Sequence, residues 1–105
     1  MNDKDFNDKG VVEQLRTFPR CHLAHLPTPL EAMDRLSAHF AGVSLFVKRD
    51  DCTGLGFGGN KVRQLEYYLG HAVKERADTI LITGAVQSNF VRVAAAAARR
   101  MGMEC

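Results

Sequence analysis

The chain has no C-x-x-C pair. Its three cysteines, Cys21, Cys52 and Cys105, are odd in number and widely spaced. That argues against a disulfide framework and a zinc site, and it fits a reducing compartment. No apolar run approaches the ~20 residues needed to cross a bilayer. The start, MNDKDFNDKG, lacks the apolar stretch of a secretory signal. A cytoplasmic location without membrane contact is therefore expected. Charge imbalance is also scarce. The net value is +2, too small to argue for nucleic acid or an anionic surface as partner. There is no internal repeat, and no low-complexity segment beyond a run of alanines. What remains is an ordinary soluble composition, 46% hydrophobic and 25% charged over 105 residues. That suits one small domain whose modest core needs no metal or disulfide.

The start is polar with little to bury, and residues 1–17 are set apart as a tail. In HLPTPLEAMDRLSAHFAG, Thr28 is placed to cap a helix and Pro29 suits its first position. Glu31 completes a T-x-x-E capping box. Leu30, Met33, Ser37 and Phe40 would then share a face, with Gly42 as the left-handed stop. VSLFVKRDD predicts a strand over 44–48. After a glycine loop, Asn60 is placed to cap a helix with Val62, Leu65, Leu69, Ala72, Val73 and Arg76 along one face. DTILITG is a near-continuous β-branched run, the pattern of a strand over 79–83 buried on both faces. AVQSN is a tight connection. FVRVAAAAARRMG is an alanine-rich helix, with Arg99 and Arg100 in its last turn and Gly102 behind them. The alternation predicts an α/β fold, a parallel sheet with flanking helices. The chain reaches MEC where a returning strand is due, so a longer parent protein is expected.

The stretch GLGFGGNKVRQ holds four glycines and then Lys61. Gly54, Gly56 and Gly59 spell G-x-G-x-x-G, and Asp78 stands nineteen positions after Gly59. A dinucleotide fingerprint needs its glycines directly after a strand and its acid at the end of the next one. Here residues 50–53 intervene, and Asp78 precedes a strand. A phosphate loop of the G-x-x-x-x-G-K-[ST] type also fails. Asn60 separates glycine from lysine, and Val62 stands where a magnesium-binding hydroxyl is required. A plain surface turn with a solvated lysine is the bland alternative. Against it, Lys61 sits at a helix start, where a cation opposes the macrodipole. Lys61 is therefore a candidate nucleophilic amine.

GAVQSNF has the same logic of strand, small turn and helix N-terminus. Free N–H groups there favour an anion such as a carboxylate. Ser88 and Asn89 add a hydroxyl and an amide, although simple N-capping by Ser88 is the commoner use. Helix starts on adjacent parallel strands converge at one sheet edge, where α/β proteins bind ligands.

The segments LPTPLE, KRDDCTGLGFGGNKVRQLEYYL and TGAVQSNFVRVAAAAARRMGMEC resemble the D-cysteine desulfhydrase and 1-aminocyclopropane-1-carboxylate deaminase family. The resemblance runs from about Phe18 to Cys105. L-cysteate sulfo-lyase is a close relative. It implies the pyridoxal phosphate (PLP)-dependent fold type II of the tryptophan synthase β-subunit. Residues 18–59 would begin the cofactor domain, and 60–105 would begin a smaller α/β domain, here truncated. It further implies that Lys61 forms the Schiff base with PLP and then acts as a base near the α-carbon. Asn89 would bond the cofactor's phenolic oxygen, and Asn60 would shape the lysine's pocket. Ser88 would contact the substrate carboxylate or assist proton transfer, with Gln87, Asn89 and Phe90 lining the substrate site. Phe90 stands where the desulfhydrases carry His and the deaminases Gln. Gln64 stands where relatives often carry a second lysine, and Val93 replaces a frequent Gln. The loss of a polar side chain at Phe90 points to a different leaving group.

The resemblance implies a lyase acting on a small amino acid, as a homodimer. It would cleave a C–S bond of cysteine or cysteate type, giving pyruvate, ammonia and sulfide or sulfite. Deamination of a cyclopropane amino acid is the alternative. From another class, the chain could be a truncated remnant or interaction module without catalysis. Cys21, His22 and His25 form a small cluster that lacks a fourth ligand, so no metal is expected. Tyr67 and Tyr68 are expected to pack, and His39 and His71 to lie on helix surfaces.

Overall fold

The structure is a computed structural model and describes residues 8–105. Residues 1–7 of the expected tail lie outside the described residues. Within that tail, Asp8–Arg16 forms a helix, α1. The chain continues through β1 (Leu30–Ala32), α2 (Asp34–His39), β2 (Phe46–Lys48), two short 3₁₀ turns, α3 (Lys61–Lys74) and α4 (Asn89–Arg100).

The capping box over Thr28 and Glu31 does not form. Leu30–Ala32 is a strand instead, paired antiparallel with Phe46–Lys48 in the register Leu30 to Lys48, Glu31 to Val47 and Ala32 to Phe46. Thr28 gives its hydroxyl proton to Asp50, so it is not the helix cap. Glu31 reaches across the pair to the Arg49 guanidinium. Cross-strand partners thus take the groups that a local helix would have used. The helix begins only at Asp34 and is six residues long. Gly42 does adopt the left-handed conformation, at φ 77°.

The core lies between α3 and α4. Val62, Leu65 and Leu69 of α3 pack with Val93, Ala94, Ala97 and Ala98 of α4, and Leu23 and Met103 close the ends. The alanine run matters here because small side chains let two helix backbones approach closely. Val73 is exposed and α3 ends before Arg76, so the expected apolar face is shorter than its pattern. At the far end of α4, Met103 N–H donates to Ala98 and Gly102 N–H to Arg99. This is the Schellman stop that the glycine behind Arg100 announces.

The run 79–83 is less of a strand than expected. It makes one parallel bridge, Thr79 to Glu104, with Ile80 N–H donating to Glu104 and Glu104 N–H to Asp78. Its direction is parallel, as the alternation requires, but only one of its faces is covered. Ile80 and Ile82 are half-buried against the core, whereas Leu81 is 93% exposed. The one sheet among the described residues is the antiparallel pair of β1 and β2. Helices α3 and α4 with the parallel bridge between Thr79 and Glu104 keep the α/β alternation.

Candidate functional site

The glycine loop is held by its own backbone and by one buried threonine. Thr53 is fully buried and donates to the Gly59 carbonyl at 2.8 Å, with a longer contact of 3.3 Å to the Asp50 carbonyl. This pins the start of the loop to its end. Gly58 sits at φ 75°, and a Cβ there would lie 2.1 Å from the Asp51 carbonyl oxygen. No other residue fits without moving backbone. Gly59 differs, since a Cβ there would meet nothing closer than the Asn89 Nδ2, at 3.9 Å. The end of the glycine loop therefore faces the start of α4.

Arg92, one turn into α4, bridges the same gap. Its Nη2 donates to the Gly58 carbonyl at 3.4 Å, and its guanidinium lies 5.9 Å from the Phe57 ring centroid. Ser88 is the N-cap of α4, and its Oγ accepts the Val91 N–H at 3.3 Å. The hydroxyl hydrogen is still available to donate. Asn89 and Gln87 are exposed. Asn60 precedes α3 with helical dihedrals and makes no side-chain cap, contrary to expectation. Its carboxamide is thus not spent on the helix end. Lys61 opens α3 and is half-buried, and its side chain makes no hydrogen bond or ion pair among the described residues. Lys61, Asn60, Ser88 and Asn89 all stand at the starts of two packed helices, where the first backbone N–H groups have no partner within the helix, although Val62, Arg63 and Val91 find one in Gly59, Asn60 and Ser88.

Phe90 lies elsewhere. It is half-buried against the core and lines a cavity of about 340 Å³ with Leu65, Leu69, Ile80 and Ile82. Lys61 is not among that cavity's walls.

Some groups around the site carried no motif. Arg63, two residues after Lys61, grips Asp50 through two bonds of 2.7 and 2.8 Å. The Arg63 guanidinium outweighs burial and holds the Asp50 carboxyl below its ordinary range. Glu66 on α3 is fully buried. Its Oε1 accepts the N–H groups of Leu23 and Ala24, and its Oε2 accepts Arg20. The available signal was an acid or a base on an otherwise apolar helix face. Cys21 donates to the Glu66 carbonyl, and burial pushes its thiol up. His25 packs on Gly54 instead of joining Cys21. No group of potential metal ligands occurs among the described residues. No helix among them is long and apolar enough to cross a membrane.

This donor set of one amine, two carboxamides, a hydroxyl and free N–H groups suits a carbonyl-bearing or anionic small molecule. A family model described as pyridoxal-phosphate dependent enzyme matches residues 22–105. A D-cysteine desulfhydrase of Klebsiella pneumoniae is 49% identical over 94 residues, covering 90% of this chain and 28% of that protein. A 1-aminocyclopropane-1-carboxylate deaminase of Burkholderia multivorans is 50% identical over 93 residues, covering 87% of this chain and 28% of that protein. A crystal structure of an ACC deaminase homologue superposes with a TM-score of 0.82 at 40% identity, over 98% of this chain and 30% of that one. The chain thus spans less than a third of the length of these relatives.

Proposed function

The chain belongs to the pyridoxal-phosphate dependent enzyme family, and from that premise we propose that Lys61 is the residue that holds the cofactor. The site's chemistry fits the group. A primary amine can bond to the cofactor's aldehyde, and Asn89 can donate to its phenolic oxygen. Gly59 leaves room between them, since a Cβ there would find no atom nearer than 3.9 Å. That meeting of the glycine loop with the start of α4 is the observation that carries the reading. Bound pyridoxal phosphate supplies an electron sink for negative charge at the carbon bearing the amino group.

The chain's own residues supply the rest. Lys61 attaches the cofactor and, once displaced by a substrate amine, moves the proton at the α-carbon. The first N–H groups of α4, with Ser88 and Gln87, receive the substrate carboxylate. Asn60 borders the amine. Phe90 follows Asn89 in sequence, but its ring packs against the core, so it acts on the substrate site only through the helix start that it anchors. We assign residues 18–59 to the beginning of a cofactor domain and 60–105 to the beginning of a smaller α/β domain. The complete protein is a cytoplasmic homodimer that takes a small amino acid. Its reaction is C–S cleavage of cysteine or cysteate type, releasing pyruvate, ammonia and sulfide or sulfite. Deamination of 1-aminocyclopropane-1-carboxylate is the second reading, favoured by the equal identity to the Burkholderia enzyme.

The test is borohydride reduction of the complete protein with pyridoxal phosphate, followed by proteolysis and mass spectrometry. The pyridoxyl label is expected on Lys61. Lys48 is committed to the Thr28 carbonyl, and Lys74 is at the other end of α3, roughly 20 Å along the axis. Lys61→Ala removes the label, keeps the fold, and lowers activity by at least the ~10²–10⁴-fold of a lost general base. A label on Lys48 or Lys74, or on no lysine, overturns the assignment. Sulfide or sulfite release separates the lyase from the deaminase.

A further inference from the structure

We propose that Asp50 and Arg63 form a latch whose task is to hold Lys61 in place, a role that rests on reading Lys61 as the cofactor lysine. Arg63 lies in the first turn of α3, where a cation opposes the helix macrodipole. Its presence there needs a partner, and Asp50 is that partner. Nε binds Oδ2 at 2.7 Å and Nη2 binds Oδ1 at 2.8 Å. This is the two-pronged geometry that arginine makes and lysine does not. Thr28 closes a ring with both. Its hydroxyl donates to Asp50 Oδ1 at 3.0 Å and accepts from Arg63 Nη2 at 3.0 Å.

The consequence follows from where the two residues stand. Asp50 opens the first 3₁₀ turn and Arg63 closes the first turn of α3, so the pair brackets the whole glycine loop and Lys61. Inside that bracket Thr53 ties itself to Gly59. Four glycines give the loop its sharp turns and also a large freedom to lose on ordering. Two nested ties remove that freedom. A reactive amine has to be held to within about 0.5 Å by the groups around it, and Lys61 has no side-chain partner among the described residues. Its placement therefore falls to the backbone that the latch fixes.

The neighbouring Arg49 pair is a built-in control. Arg49 makes equally short bonds to Asp51 and Glu31. Those bonds lie outside the loop and do not span Lys61.

Two measurements on the complete protein decide the matter, each on Arg63→Lys, Asp50→Asn and Arg49→Lys. The first is hydrogen exchange without cofactor. Amides 54–62 should exchange at least about tenfold faster in the two latch variants, while 93–98 and the Arg49→Lys variant stay as in the parent. The second uses added pyridoxal phosphate. In the latch variants its affinity should fall about tenfold, and the pH midpoint of the visible absorption band should move. Exchange in 54–62 unchanged in both variants overturns the latch. Faster exchange with unchanged affinity and an unmoved pH midpoint reduces the pair to fold support, and also overturns it. If the parent takes no label at Lys61, the cofactor reading fails separately, and the exchange result still decides whether the pair holds that lysine. Should one variant not fold, the other carries the test.

Discussion

Glu66 is fully buried, and burial alone would raise its carboxyl. The Leu23 and Ala24 N–H groups and the Arg20 guanidinium outweigh that, so the net displacement is downward. The sign of the pH effect follows. A carboxyl whose folded value lies below its ordinary value near 4.5 adds stability that is fully present above that ordinary value. The contribution is lost as pH falls through the lowered folded value. Stability measured by urea midpoint should therefore hold from pH 7 to about 5 and decline below it. Glu66→Gln should flatten part of that decline, leaving the share of Asp50 and Asp51, whose carboxyls are also held down by arginines. Glu66→Ala should cost about 3–5 kcal/mol, because it leaves two buried N–H groups and Arg20 without their acceptor. A wild-type protein whose midpoint is flat from pH 7 to 3 would contradict this account. Lys61 and the Ser88–Asn89 pair stand out in the sequence because their residue types carry chemistry, and the structure places both at helix starts. Glu66, Arg63 and Thr53 do not stand out, because each works through a partner more than five positions away.

Helix ends show where local pattern was enough. The stop of α4 was readable since Gly102 supplies a positive φ of 75° at no steric cost. The stop of α3 has the same hydrogen bonds, Ala77 N–H to Ala72 and Arg76 N–H to Val73. It places an arginine, at φ 59°, where glycine is preferred. No sequence signal marked it, and the apolar face was accordingly read on to Arg76. Such a residue carries a left-handed cost of about 1–2 kcal/mol. Arg76→Gly should relieve most of it and stabilise the protein by about 1 kcal/mol after the extra freedom of the unfolded glycine. A lower denaturant midpoint in that variant would show that the Arg76 side chain contributes more than its backbone costs. The reverse failure occurred at PTPLE. A capping box was present in the letters, yet Thr28 and Glu31 were claimed by Asp50, Arg63 and Arg49. Tertiary partners decided between strand and helix in a segment whose local preference was weak.

Over the whole molecule, the alternation of elements identified the fold class, whereas the extent of the sheet depended on what lies beside it. The chain exposes 8275 Å², against about 5,800 Å² for a compact monomer of its 11.6 kDa. Several large apolar side chains among the described residues contribute to it. Leu81 is 93% exposed, Phe57 92% and Leu30 66%. Phe90, Ile80 and Ile82 line an open apolar cavity of about 340 Å³. A strand with near-continuous β-branched residues expects cover on both faces, and in these 105 residues α3 and α4 provide it on one. Apolar surface of this extent drives association. The 105-residue chain by itself should therefore bind an apolar fluorescent dye, and its apparent mass should rise with concentration. In a longer protein that buries 79–83 on both sides, both signals should vanish while the Lys61 loop stays as described. A monomeric 105-residue chain with a sharp melting transition and no dye binding would show that the exposed face is tolerated, and the cover inferred from the strand pattern would lose its support.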